Sequence, residues 1–119
     1  MKRVYIAGPM QGHQYHNFPE FFRVEAVLRE AGYDVVNPAR NDGGDTWEEA
    51  HELSLKNDRS WEEYMRIDIA MLTTCDAICL LDDWWTSKGA TCEQTIAAWL
   101  RFEVLSPDAV KLPTSSLRG

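Results

Sequence analysis

A three-layer α/β sandwich around a short, mainly parallel sheet of about four or five strands is the fold that this sequence predicts. Three observations carry it. Short β-rich runs alternate with longer segments of helical periodicity. The run Asp76-Ala77-Ile78-Cys79-Leu80-Leu81-Asp82 is apolar at successive positions, as a strand covered on both faces should be. Helix start and stop signals stand at the boundaries between the runs.

Taken in order, Arg3-Val4-Tyr5-Ile6-Ala7-Gly8 reads as a buried strand that ends at Gly8-Pro9. Asn17 suits an N-cap and Pro19 a first turn, opening a helix with apolar Phe18, Phe21, Phe22, Val24 and Leu28 that Gly32 ends. Tyr33–Val36 is a second strand, stopped by Asn37-Pro38. Residues 37–60 are the least regular part and read as a lid or insertion, with Thr46 capping a short helix over Trp47–Leu55. Ser60 and Glu63 form a capping-box pattern for a stronger helix, whose buried side is expected to hold Trp61, Tyr64, Met65, Ile67, Ile69, Met71 and Leu72. Asp76–Asp82 is the third strand, 83–89 a loop, Ala90–Leu100 a helix and Phe102–Leu105 a last apolar piece. Strands alternating with helices in this way point to a flavodoxin- or Rossmann-like single domain over 1–119, its last residues a short polar tail.

Composition excludes several function classes. With 19 acidic against 12 basic residues the net charge is -7, and no basic cluster offers the phosphate neutralisation that nucleic-acid polymers need. The cysteines Cys75, Cys79 and Cys92 are odd in number and form no CxxC pair, so neither a disulfide framework nor a zinc site is indicated; no metal or cofactor is expected. No apolar run approaches the roughly 20 residues of a membrane span. The start Met1-Lys2-Arg3 has no signal-peptide architecture, so a cytoplasmic location is expected.

In open α/β sheets, ligands sit at the carboxyl ends of the strands. That rule selects three places. Gly8-Pro9-Met10-Gln11-Gly12 follows the first strand; it reads either as a plain turn or as a loop that a ligand approaches closely. Asp68, flanked by Ile67 and Ile69, is either a solvent-facing residue or a carboxylate turned into a pocket. Ser87-Lys88-Gly89-Ala90-Thr91-Cys92-Glu93 opens the last helix, whose free N–H groups suit a phosphate. Ser87 is otherwise a cap and Glu93 an exposed first-turn acid.

Together, Tyr5-Ile-Ala-Gly-Pro-Met-x-Gly, Asp68, a strand and Ser87-x-Gly-x-x-x-Glu93 resemble the nucleoside 2-deoxyribosyltransferase superfamily, in particular its small phage and bacterial branch and the deoxynucleoside 5'-monophosphate N-glycosidases. The resemblance runs from Tyr5 to the Glu93 helix and leaves 37–60 outside. It implies that Glu93 is the nucleophile at C1', that Asp68 supplies a proton to the leaving base, and that Tyr5 orients Glu93. Cleavage through an oxocarbenium-like state needs such a carboxylate. It also places Gly8, Pro9, Met10, Gln11, Gly12, Asp82, Ser87 and Gly89 against the substrate, and Ser115 and Ser116 in a neighbouring subunit's phosphate site. Gln11 stands where phosphate-binding relatives often carry a basic residue. The expected partner is a nucleoside or nucleotide, not a membrane, and the relatives imply a homodimer or higher even oligomer. Trp84 and Trp85 read either as rings that stack on a base or as candidates for that interface, and Trp99 as interface or core. The alternatives are a non-catalytic binder or sensor of a nucleotide or ADP-ribose-like molecule, and a phosphotransfer or flavin module. A receiver domain would need an acidic pair after strand one, where Gly8-Pro9 stands.

Overall fold

The computed structural model describes residues 2–108. Strands β1 (Arg3–Ala7), β2 (Asp34–Val36), β3 (Ala77–Leu80) and β4 (Glu103–Leu105) form one sheet in the order β2-β1-β3-β4. Every neighbouring pair is parallel. The helices are α1 (Phe18–Glu30), α2 (Trp47–Ser54), α3 (Trp61–Leu72) and α4 (Lys88–Trp99). From β1 the chain moves outward to β2 and then crosses back to β3 on the other side of β1. This reversal opens a crevice at the carboxyl ends of β1 and β3.

Side chains of β1 alternate between the two faces, as the two-residue period of a strand requires. Val4 and Ile6 join Phe18, Phe21, Val24 and Leu28 of α1 in one buried cluster. Tyr5 and Ala7 join Leu72 of α3 with Ala90 and Ala97 of α4 in another. That phase sends Tyr5 to the side of the sheet where Glu93 lies. At the end of β1, a Cβ on Gly8 would stand 2.7 Å from Leu81 Cβ, so this tight approach requires glycine.

Helix starts follow the sequence closely in two cases. Thr46 and Glu49 form a capping box at α2, and Ser60 and Glu63 form one at α3. Asn17 differs: its side chain does not cap α1 but donates Nδ2–H to the Pro9 carbonyl at 2.9 Å. Tyr15, His16 and Asn17 take left-handed φ angles of 53°, 53° and 63°, so Asn17 cannot offer the extended backbone that a capping side chain needs. Helix α4 begins at Lys88 rather than Ala90, because Ser87 Oγ accepts from Ala90 N–H and caps the turn before it.

The segment 37–60 is built into the α1 side of the molecule. Ala50 of α2 is fully buried in the α1 cluster. Buried Glu25 of α1 accepts hydrogen bonds from Asn37, Arg29 and Arg40. Burial alone would raise its pKa; the Arg40, Asn37 and Arg29 donors more than offset that and hold it lowered and ionised. Arg40 also reaches the Gly44 carbonyl, so the loop entering α2 is anchored at both ends. Of the side chains expected on the buried face of α3, Met65 and Leu72 are buried and Tyr64, Ile67, Ile69 and Met71 half-buried, whereas Trp61 is exposed. Among the described residues, no helix is long and apolar enough to cross a membrane.

Candidate active site

A cleft of about 490 Å³ opens at the β1/β3 crevice. The loop after β1, the start of α4, the inner side of α3 and the 37–60 segment form its walls.

Glu93 lies one and a half turns into α4 and is only 5% exposed. The Tyr5 hydroxyl, buried beneath it, donates to Glu93 Oε2 at 2.7 Å. Burial first, and the charge of Asp68 second, raise the Glu93 pKa to about 8 against the opposing Tyr5 bond. The phenol itself is pushed well above its ordinary range, by burial and then by Glu93, so it stays protonated as a donor. Asp68 lines the same cleft from α3. Its pKa rises to about 6 through burial, held back by a hydrogen bond from Asn41 and by the charge of Arg59. Two carboxyl groups whose environments separate their affinities for protons thus share the cleft, the higher affinity lying with Glu93.

Gly8, Pro9, Met10, Gln11, Ser87 and Gly89 also line the cleft. Gly12 and Asp82 do not. Gly12 is exposed beyond the loop, and Asp82 belongs to a neighbouring groove with Trp84, Trp85 and Val104. β3 ends at Leu80, and Asp82 stands on the β4 side of that end, in the groove with Val104 and Leu105, rather than over the β1/β3 crevice. Ser115 and Ser116 lie outside the described residues. Trp99 and Trp85 are 84% and 64% exposed, whereas Trp84 packs partly against the α4 side of the core; Trp99 is thus a surface residue.

The sequence predicts a lid or insertion over 37–60 but singles out none of its residues for the site. Asn41 donates Nδ2–H to Asp68 Oδ1 at 2.7 Å. Asp42 pairs with Arg59, and Asn57 bonds both Asp42 and the Tyr64 hydroxyl. Lys88 stands 4.1 Å over the Trp61 ring at the opposite rim. Asn41-Asp42-Gly43-Gly44 carries the composition of an ordinary turn, which hid its role. The one available signal was a pair of cations, Arg59 and Lys88, each next to a helix-capping serine. Among the described residues, no group of three or more His, Cys, Asp or Glu side chains is arranged to share a metal ion.

A sequence profile for a domain of unknown function, DUF4406, matches residues 2–106. The chain belongs to the DUF4406 family. No curated protein matches this DUF4406 chain. Among solved structures it is similar to the 2-deoxyribosyltransferase of the psychrotolerant bacterium Bacillus psychrosaccharolyticus, with a TM-score of 0.61 and 19% identity over 87% of this chain and 70% of that one. At that identity the likeness establishes the fold alone.

Proposed function

We propose that this DUF4406 protein cleaves the N-glycosidic bond of a (deoxy)nucleoside or its 5'-monophosphate, or exchanges the base, with Glu93 as nucleophile. The observation that carries this reading is the buried Tyr5–Glu93 hydrogen bond in a cleft that Asp68 shares. The structural neighbour is described as a biocatalyst for nucleoside synthesis, which supports the same class of substrate.

The chemistry assigns each atom a task. Tyr5 occupies Glu93 Oε2 and leaves Oε1 for C1'. As Oε1 bonds to C1', the C1'–N bond breaks and its electron pair goes to the base nitrogen, which takes a proton from Asp68. Water, or a second base, then attacks C1' and frees Glu93; Asp68 recovers the proton that the acceptor releases. Apolar Pro9, Met10, Phe18, Phe21 and Pro38 give a flat base a dry wall. Ser87, Lys88 and Gly89 at the start of α4 suit a 5'-phosphate, and Lys88 and Arg59 supply cationic charge that Gln11 does not.

Incubation with a panel of nucleosides and 5'-monophosphates, read for free base, tests the reading. Saturable binding without base release would instead favour a sensor. Because the two carboxyls titrate as a pair, kcat/KM is expected to be bell-shaped, rising near 6 and falling near 8. The competent form, with Glu93 ionised and Asp68 protonated, is the minor tautomer of the singly protonated pair; below the window both carboxyls are protonated, and above it both are ionised. A profile flat across both limbs would count against the pair.

The reading extends to assembly. Trp85 and Trp99 project from the surface, and exposed aromatic rings of this kind are enriched where subunits meet. A homodimer or higher even oligomer is expected, with one of these rings at its interface. Light scattering that finds a monomer at micromolar concentration would refute it.

A further inference from the structure

Asp68 has one hydrogen-bond partner among the described residues, and it comes from the loop of the 37–60 segment rather than from the sheet or from α3. The donor is an amide N–H, which can only give a proton to an acceptor. Oδ1 of Asp68 must therefore present a lone pair to Asn41 whether the carboxyl is ionised or neutral.

We infer that Asn41 is a positioning residue for Asp68: its amide reserves Oδ1 as an acceptor, so that any proton destined for a leaving group is carried on Oδ2. The arrangement mirrors the other carboxyl, where Tyr5 reserves Oε2 of Glu93 and leaves Oε1 free. Asn41 is well placed to hold this geometry. It closes the 3-10 turn Pro38–Arg40, which Asn37 caps from below. Arg40 ties the same turn to Glu25 and to Gly44. The neighbouring Asp42 is bound by Arg59 and Asn57, which keeps a second acid in this loop neutralised. The charged and titratable groups around Asp68 are Tyr5 from β1, Glu93 from α4, Arg59 ahead of α3 with its partner Asp42, and Tyr64 one turn earlier on α3; His16 and Lys88 line the same cleft. Of these, Arg59 works in the same direction as Asn41, stabilising the Asp68 anion, whereas Glu93 opposes it.

The catalytic meaning of this placement rests on the glycosidic reading above, but its test does not. Carbon-13 NMR of aspartate-labelled protein, with Asp68 assigned through Asp68→Asn, reports the titration of that carboxyl directly. In Asn41→Ala the midpoint is expected to rise by about one pH unit, the worth of a hydrogen bond to a charged acceptor. In Asn41→Asp, nearly isosteric but with a carboxylate for a donor, the rise should be larger still. A residue that merely anchors the loop would leave the Asn41→Ala midpoint in place; Asn41→Asp raises it through its charge in either case. An Asp68 midpoint that is unchanged or lowered in either variant overturns the placement. The acid limb of kcat/KM for base release should follow the NMR midpoint; an NMR shift in a protein that releases no base would leave Asn41's role standing and remove the glycosidic reading instead.

Discussion

Replacing Glu93 by Gln is expected to abolish base release and to stabilise the protein at alkaline pH. The loss should be a thousandfold or more, about 4 kcal/mol of barrier, because an amide oxygen cannot form the glycosyl ester. Retention of more than about a tenth of the wild-type rate would end the nucleophile assignment. The stability gain has a separate cause. In the folded protein the Glu93 pKa is raised to about 8, from 4.5 for an ordinary glutamate, so between those values the native state holds a proton that the unfolded chain has released. Stability must then fall as pH rises through that window, by up to about 5 kcal/mol for a shift of this size. Gln does not titrate, and its amide oxygen still accepts from Tyr5. Denaturant melts of both proteins above about pH 6, where Asp68 has already released its proton, decide it: the wild type should weaken with pH while Glu93→Gln does not.

Asp68→Asn should slow the release of ordinary bases by roughly a hundred- to ten-thousandfold, the usual range for a lost general acid. The loss should depend on the leaving group. A nucleoside of a 7-methylated purine carries its positive charge already and departs without taking a proton, so it should be spared most of the penalty. If both substrate types lose activity equally, Asp68 does not deliver the proton. The substitution keeps the side-chain shape and still offers an oxygen to Asn41, so a folding defect is not expected to confuse the comparison.

The order of elements was legible in the sequence because each one announces itself locally. Ser60 and Glu63 sit three apart and satisfy each other's backbone partners, whatever the rest of the chain does. The apolar run over β3 could only be covered on both faces. Asp68 and Glu93 taken singly read equally well as solvent-facing acids, and Tyr5 as core; the resemblance of the whole motif set to the deoxyribosyltransferase superfamily singled them out. Asn17 misled, since a capping residue is defined by backbone angles as much as by its side chain, and the left-handed turn before α1 changes those angles. Asp82 misled because a central strand's end is bordered by a neighbour on each side, and only the strand order shows that Asp82 shares its groove with β4.

What the sequence determined by itself was therefore the set of local preferences: an α/β alternation, the capping signals, and two acids and a tyrosine within those elements. Only the tertiary structure decided that Tyr5 and Glu93, 88 residues apart, share a buried hydrogen bond. It likewise decided that the turn at Asn41 closes onto Asp68 across 27 residues. Neither contact has a local signature. Each depends on the phase of β1 across the sheet, and on the Glu25 network that fixes where the 37–44 loop can lie. Desolvation, the largest cause of both raised carboxyl pKa values, is likewise a property of the assembled cleft and of no residue alone.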